Sequence, residues 1–162
     1  MISSARRQNR IGSLLLLLAA LLPLLFLNAC QSGERAMRDG FYSAEAAVLD
    51  EHGWKEYITI YVSDNAIVTV DYNAKNASGF IKSWDMAYMT TMNAVDKTYP
   101  NKYTREYAEA LVDRQDPYRI DVITGATHSH SSFQLLARAA IEQAYAGDKN
   151  VAYVDLTGAA HE

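Results

Sequence analysis

The sequence lacks the residues on which several common protein classes depend. Its 162 residues include one cysteine, Cys30, so an intrachain disulfide is excluded. Basic residues number 15 against 19 acidic ones, whereas nucleic-acid binding needs a positive surface. The sequence has no glycine-rich nucleotide-binding loop, no Ser-His-Asp order and no paired-carboxylate site. It therefore argues against a nucleic-acid partner and against hydride uptake directly from NAD(P)H.

One long apolar run is present, and it lies near the N-terminus between Ile11 and Leu27. Three arginines and no acidic residue precede it, a pattern typical of an export signal that is later removed. A membrane-spanning helix is the alternative. The run has 17 residues, however, fewer than the roughly 20 that cross a bilayer, and Pro23 interrupts it. We therefore expect residues 1–29 to form a signal peptide.

The end of this run, Leu27, Asn28, Ala29 and Cys30, resembles the lipobox of bacterial lipoproteins. The resemblance implies lipid attachment to Cys30, and two or more acyl chains hold a protein stably at a membrane. A free or intermolecularly paired thiol is the alternative. Loss of the leader arginines leaves 12 basic residues against 19 acidic ones, a net charge of −7, so membrane association is expected to depend on the lipid. The expected location is a membrane surface facing the periplasm or the cell exterior.

The mature chain is predicted to hold a lipidated tether, residues 30–39, and one domain, residues 40–157. Alternating apolar residues between turn signals predict three strands, which tight turns join into an antiparallel meander. The predicted strands are Gly40–Val48, Trp54–Val62 and Ala66–Tyr72, and the loop Asn73–Phe80 follows them.

The second half of the domain is predicted to be mainly helical. Apolar residues recur at spacings of four, four and three, the stripe of an amphipathic helix that Ser83 can cap, at Trp84, Tyr88, Met92 and Val95. A second helix is predicted over 104–115, capped by Thr104, and a strand over 118–123. The last helix is predicted over 131–147, with Ser131 or Ser132 as its cap and one apolar face formed by Phe133, Leu136, Ala140 and Ala144. A strand over 150–156 is predicted to follow it. The expected fold class is α+β, an antiparallel sheet with inserted helices.

The stretch from Asp121 to Ser132, DVITGATHSHSS, lies where the predicted strand ends and the last helix begins. Gly125 frees the backbone for a tight turn, and Ala126 leaves the approach uncrowded. The start of a helix presents unpaired N–H groups and a partial positive charge, which favour a phosphate nearby. This strand–turn–helix is therefore expected to be able to hold an anion, whose identity these properties leave open.

Five residues of this stretch match the flavinylation signature Asp-x-x-(Ser/Thr)-Gly-Ala-Thr, namely Asp121, Thr124, Gly125, Ala126 and Thr127. About 10⁻⁴ such matches arise by chance in a chain of this length. Residues 40–156 thereby resemble the FMN-binding domains of the sodium-translocating NADH:quinone reductase and of Rnf complexes. The resemblance implies that Thr127 carries FMN through a phosphoester bond installed by a flavin transferase, and that the other four residues serve recognition and shape. The alternative is an ordinary polar turn that caps a helix.

Other residues are candidates for contact with the flavin. The flat, apolar isoalloxazine ring favours aromatic and methionine surfaces, which Trp84, Tyr88 and Met89 offer. The alternative for Trp84 and Tyr88 is the core face of a helix. His128 and Ser129 are expected to hydrogen-bond the phosphate or the ribityl chain, with plain helix capping as the alternative.

A metal site is the weaker hypothesis for His128 and His130, together with His52 or His161. Imidazole suits Zn²⁺ or Cu²⁺. No cysteine or carboxylate stands at ligand spacing, however, and alternate residues at the start of a helix need not converge. No metal is therefore expected.

These patterns together predict a membrane-anchored extracytoplasmic flavoprotein. It would carry FMN and relay electrons between membrane redox partners and acceptors, as a carrier or subunit and not as a complete enzyme. Its expected partners are the flavin transferase, membrane electron-transfer proteins and the membrane itself through Cys30. The alternatives are a non-redox lipoprotein that binds another ligand or a protein, and a non-covalent FMN binder.

Overall fold

A four-stranded sheet forms one layer of the protein in the computed structural model, which describes residues 35–157. The predicted signal peptide, Cys30 and His161 lie outside these residues, so those predictions are not addressed by the structure. The strands are β1 (Gly40–Ala46), β2 (Trp54–Ser63), β3 (Ala66–Asn76) and β4 (Ala152–Val154), in the order β3-β2-β1-β4. β1, β2 and β3 form the predicted antiparallel meander, and β4 pairs parallel to β1.

The two faces of the sheet differ because side chains alternate along each strand. On the inner face, Ile58, Ile60 and Val62 of β2 are fully buried. On the outer face, Glu45 forms ion pairs with Lys75 at 2.6 Å and Lys55 at 3.3 Å. The sheet therefore has one apolar face against the helices and one polar face.

Three helices follow the meander: α1 (Met86–Asp96), α2 (Pro100–Arg114) and α3 (Thr127–Ala146). α2 packs mainly on β3, whereas α3 packs on β1 and β2. The predicted apolar face of α3 is confirmed, since four side chains on it are fully buried: Phe133, Leu136, Ala140 and Ala144. The fold class is α+β, as expected.

Several predicted boundaries are wrong, each for a local reason. β1 ends at Ala46, two residues before its predicted end. β3 continues to Asn76, because its ladder with β2 extends as far as the pair Trp54 and Asn76. α2 begins at Pro100, a residue preorganised for the first helical position. The Thr104 hydroxyl therefore lies inside the helix, where it donates to the Pro100 carbonyl at 2.7 Å.

The predicted strand over residues 118–123 is also wrong. Pro117–Arg119 form a single 3-10 turn, which Asp116 caps by accepting a hydrogen bond from the Tyr118 amide at 2.9 Å. Residues 120–126 continue without regular structure until α3 begins. The predicted strand–turn–helix is therefore a 3-10 turn, a loop and a helix.

The segment of the predicted amphipathic stripe has a different structure from the one expected. Lys82–Trp84 form a 3-10 turn, and Asp85 caps α1 by accepting from the Tyr88 amide at 2.9 Å, in place of Ser83. None of the residues of α1 is buried. Trp84 is 65% exposed and Tyr88 is also exposed, so the alternative that both belong to the core is wrong.

Between residues 35 and 157, no helix combines the length and the apolar character needed to cross a membrane.

Candidate functional site

The turn of the flavinylation signature requires its glycine on structural grounds. Gly125 has φ of +82°, a conformation that other residues adopt only with strain. A Cβ atom at this position would also lie 2.7 Å from the backbone oxygen of Asp96 and 2.8 Å from its Cβ. The turn therefore packs directly against the end of α1, and only glycine fits.

Buried tyrosines hold the backbone of this turn in place. The Tyr107 hydroxyl donates to the Ala126 carbonyl at 3.3 Å and accepts from the Ile123 amide at 3.1 Å. The Tyr72 hydroxyl donates to the Ser129 carbonyl at 2.9 Å. Because both tyrosines are core residues, the position of the turn is fixed by the packing of the sheet and α2.

α3 begins at Thr127 without a side-chain cap, and its N-cap residue is Ala126. Ser131 and Ser132, the predicted caps, lie inside the helix instead. The first amides of such a helix have no intrahelical acceptor, and they carry the positive end of the helix dipole. This end of a 20-residue helix is therefore suited to an anion.

A cavity of about 730 Å³ adjoins the turn, within the range of about 300–1,000 Å³ that small-molecule sites occupy. The signature turn and α3 contribute part of its wall. Further parts come from α1, α2, β2, the 3-10 turn Lys82–Trp84, the loop after β1 and the segment after β4. Its lining residues include Glu56, Lys82, Tyr88, Tyr103, Gly125, Ala126, His128 and Ser129.

The structure brings some of the predicted site residues together and leaves others apart. Gly125, Ala126, His128, Ser129 and Tyr88 line the cavity. The remaining predicted residues are not among its lining residues: Trp84, Met89, Asp121, Thr124 and Thr127. Asp121, Thr124 and Thr127 are solvent-exposed beside the cavity-lining part of the turn.

Glu56 also lines this cavity, and it is not among the residues predicted for the site. It alternates in phase with Ile58, Ile60 and Val62, so it occupies an inward-facing position of β2. Glu56 is only 8% exposed, and its Oε2 atom has no hydrogen-bond partner in the described part of the chain. Burial raises the pKa of this carboxyl, while the positive charge of Lys82 opposes that shift. The alternation of inward-facing and outward-facing residues along β2 was the sequence signal that could have identified Glu56.

Lys82 also lines the cavity and is buried. Its ammonium nitrogen lies 5.8 Å from the centre of the Trp54 ring and 5.5 Å from that of Tyr88, within cation–π range. Tyr103 forms another part of the wall, and burial raises the pKa of its hydroxyl. The cavity thus combines aromatic surface with one buried acid and one buried base.

His128 and His130 point in different directions. His128 is exposed and lines the cavity, whereas a ring nitrogen of His130 lies 2.9 Å from the Ile120 carbonyl. Residues 35–157 contain no group of three or more His, Cys, Asp or Glu side chains placed to hold a metal ion. The two histidines therefore do not share a ligand position.

The fold and the site define a class of protein: a one-sheet α+β domain in which a ligand-sized cavity adjoins an uncapped helix N-terminus. No known family profile matches the chain. Over 125 residues the chain is 35% identical to the 15 kDa lipoprotein of Treponema pallidum (strain Nichols), covering 77% of this chain and 87% of that protein. The chain therefore belongs to the family of this 15 kDa lipoprotein.

A solved structure is similar as well. The crystal structure of the CPE2226 protein from Clostridium perfringens superposes with a TM-score of 0.71 at 36% sequence identity. The match covers 74% of this chain and 98% of that protein. The lipoprotein part of the sequence prediction thus agrees with the family, whereas FMN binding and the role of Thr127 stay predictions.

Proposed function

We propose that the protein is a lipid-anchored extracytoplasmic flavoprotein that carries FMN on Thr127 and relays electrons between membrane redox partners and acceptors. One observation carries the proposal: the complete signature Asp121 to Thr127 ends at an uncapped helix N-terminus beside a ring-sized cavity. A phosphate at Thr127 would lie at the positive end of α3. FMN supplies the redox chemistry when bound, and the protein supplies position and electrostatics.

The chain's own residues have separable roles in this proposal. Thr127 is exposed, so its hydroxyl is open to a modifying transferase. His128 and Ser129 line the cavity next to it and are positioned to hydrogen-bond the polar chain of the ligand. Tyr88 of α1 offers aromatic surface at the same cavity. An ester link would retain a soluble cofactor outside the cytoplasm.

The membrane anchor in this proposal is a lipidated Cys30. The lipobox at residues 27–30 and the lipoprotein name of the Treponema pallidum relative support it. The chain after the signal peptide would then sit at a membrane surface facing the periplasm or the cell exterior. Electron-transfer proteins of the same membrane would be within its reach.

The test is co-expression of the full chain with a flavin transferase, followed by denaturation and mass spectrometry of the Thr127 peptide. Covalent FMN is expected to add about 438 Da, which is FMN less the water lost in ester formation. Thr127→Val should remove the added mass and the fluorescence of the denatured band. Thr91→Val, a matched change at an exposed threonine of α1, should leave both unchanged.

Two outcomes would contradict the proposal in different ways. A denatured wild-type band without flavin would exclude the covalent link. If native wild-type protein then still retained FMN, the protein would be a non-covalent FMN binder. If it retained none, the remaining function would be binding of another ligand or a protein partner.

A further inference from the structure

Glu56 stands out from the other buried polar groups. Three side-chain atoms among residues 35–157 are buried without a hydrogen-bond partner: Tyr42 Oη, Thr98 Oγ1 and Glu56 Oε2. Of these residues, Glu56 alone lines the cavity. A buried acceptor left without a donor costs free energy, so a ligand that brings a hydrogen-bond donor to the Glu56 carboxyl would be favoured there.

A ligand donor would approach the Glu56 carboxyl from the cavity, which this mostly buried residue lines. The carboxyl lies on the inward face of β2, one alternation before the fully buried Ile58. Ser132, also buried, lies on the α3 side, where its hydroxyl opposes the effect of burial on the pKa of Glu56. The cavity is therefore the open side of this carboxyl.

Lys82 supplies the complementary group at the same cavity. Its charge acts on Glu56, and its ammonium nitrogen rests against the rings of Trp54 and Tyr88. An ammonium group has three N–H donors. The cavity thus presents a buried carboxylate acceptor and a buried cationic donor beside aromatic surfaces.

We propose that Glu56 and Lys82 form the end of the cavity that recognises a flat, uncharged ring edge on which an N–H group adjoins a carbonyl oxygen. The ring N–H donates to the Glu56 carboxylate, and the Lys82 ammonium donates to the carbonyl oxygen. This inference rests on the proposed function, because the pyrimidine edge of the FMN ring is of this kind. It assigns recognition of the ring to two residues outside the flavinylation signature.

The chemistry of the pair restricts the ligand edge that fits. The carboxylate of Glu56 would repel a phosphate or carboxylate on the ligand, and the ammonium group of Lys82 would repel a cation. A neutral edge that contains both a donor and an acceptor satisfies the two side chains together. Trp54, Tyr88 and Tyr103 at the same cavity complement a flat ring.

The test uses the detergent-solubilised full chain made without a flavin transferase, with lumiflavin and N3-methyl-lumiflavin as probes. Methylation removes the ring N–H and keeps the ring. We expect the fluorescence of lumiflavin to be quenched when it binds. The methylated probe should bind at least about tenfold more weakly, because a site built for a hydrogen bond rejects an analogue that lacks it. This comparison needs no mutation, so it does not depend on how a variant folds.

Variants then assign the preference to the two side chains. Glu56→Leu should abolish the discrimination between the probes, whereas Lys82→Met should weaken both probes by about tenfold and keep the discrimination. Matched controls are Glu106→Leu and Lys102→Met, which make the same changes at exposed positions outside the cavity. Both controls should bind the probes as the wild type does.

Equal binding of the two probes by the wild type would overturn the inference, as would retained discrimination in Glu56→Leu. Absence of lumiflavin binding would overturn it too. Covalent FMN on Thr127 without probe discrimination would refute the role of Glu56 and Lys82 and leave the proposed function standing. Absence of both covalent flavin and probe binding would refute both.

Discussion

Helices α3 and α1 face the same cavity but have opposite relations to the core. α3 buries Phe133 and Leu136 completely against the sheet. α1 buries no residue, and its Met86 and Val95 are 70% and 76% exposed. One wall of the candidate site is therefore part of the folded core, whereas the other rests on the surface.

The difference indicates a division between stability and binding. Segments with few buried contacts open at low free energy, and ligand-binding elements are often drawn from them. α1 contributes Tyr88 and Met92 to the cavity wall, while α3 contributes His128 and Ser129. We therefore expect changes in α3 to alter global unfolding and changes in α1 to alter local order and ligand contact.

The largest effect is expected from Phe133→Ala. The Phe133 ring is fully buried, with ring centroids 5.0 Å from Tyr72 and 5.1 Å from Tyr107. Its removal should lower the free energy of unfolding by about 3–5 kcal/mol. Val95→Ala in α1 should change it by less than about 0.5 kcal/mol. Denaturant unfolding of both variants measures this, and equal losses would break the contrast between the helices.

A smaller loss is expected from Gly125→Ala. The substitution combines the strain of positive φ with the close approach to Asp96, at about 1–3 kcal/mol or more. Gly79→Ala is the matched control, because Gly79 has φ of +83° and open space around it. Gly79→Ala should cost about 1 kcal/mol from conformation alone. If both variants unfold at the same denaturant concentration, the contact with Asp96 contributes nothing.

Glu56→Gln should have an effect that depends on pH. Burial raises the pKa of Glu56 above its ordinary value of 4.5, so the folded chain holds this proton to a higher pH than the unfolded chain. Ionisation of Glu56 therefore reduces stability as pH rises from about 4.5 through the folded pKa. In ligand-free protein, Glu56→Gln should raise Tm by about 3 °C at pH 7.5 and leave it unchanged at pH 4.

The charged and titratable groups around Glu56 remain in that variant, namely Lys82, His128 and Tyr72. Glu106→Gln, which neutralises a carboxyl at an exposed position outside the cavity, is the matched control and should leave Tm as in the wild type at both pH values. A lower Tm for Glu56→Gln at pH 7.5 would mean that the interaction with Lys82 outweighs the cost of burying the charge.

The smallest effect on global stability is expected from Asp85→Ala, which removes the cap of α1. Loss of a cap costs a helix about 1 kcal/mol. Because α1 contributes little to the core, we expect faster amide exchange within Met86–Asp96, by about fivefold, and a change of less than about 0.5 kcal/mol in global unfolding. A loss of global stability equal to that of Phe133→Ala would show that α1 belongs to the cooperative core.

Periodicity predicted α3 and β2 well and α1 poorly, for a physical reason. In α3 the apolar stripe meets the inner face of the sheet, so the predicted face is buried. In α1 the same kind of stripe covers little of the core and leaves all its residues at least partly exposed, because α2 and α3 already occupy the inner face of the sheet. The strand expected over residues 118–123 failed because Pro117 and the Asp116 cap favour a 3-10 turn.

The candidate site was predictable only in part. The signature from Asp121 to Thr127 is contiguous, so its presence could be read directly from the chain. Glu56 was missed because its inward position becomes evident only when β2 is read in phase with Ile58 and Ile60. Lys82 carried no local signal, since nothing in its neighbours indicates that an ammonium group is buried.

The sequence by itself determined the lipobox, the flavinylation signature and the apolar faces of β2 and α3, because each depends on residues close together in the chain. Tertiary structure alone decided that the signature turn packs against Asp96, that α1 lies on the surface, and that Glu56 and Lys82 face one cavity. Those features depend on which segments meet across the sheet. A local pattern specifies an element and its apolar face, whereas a cavity exists only between elements that have already packed.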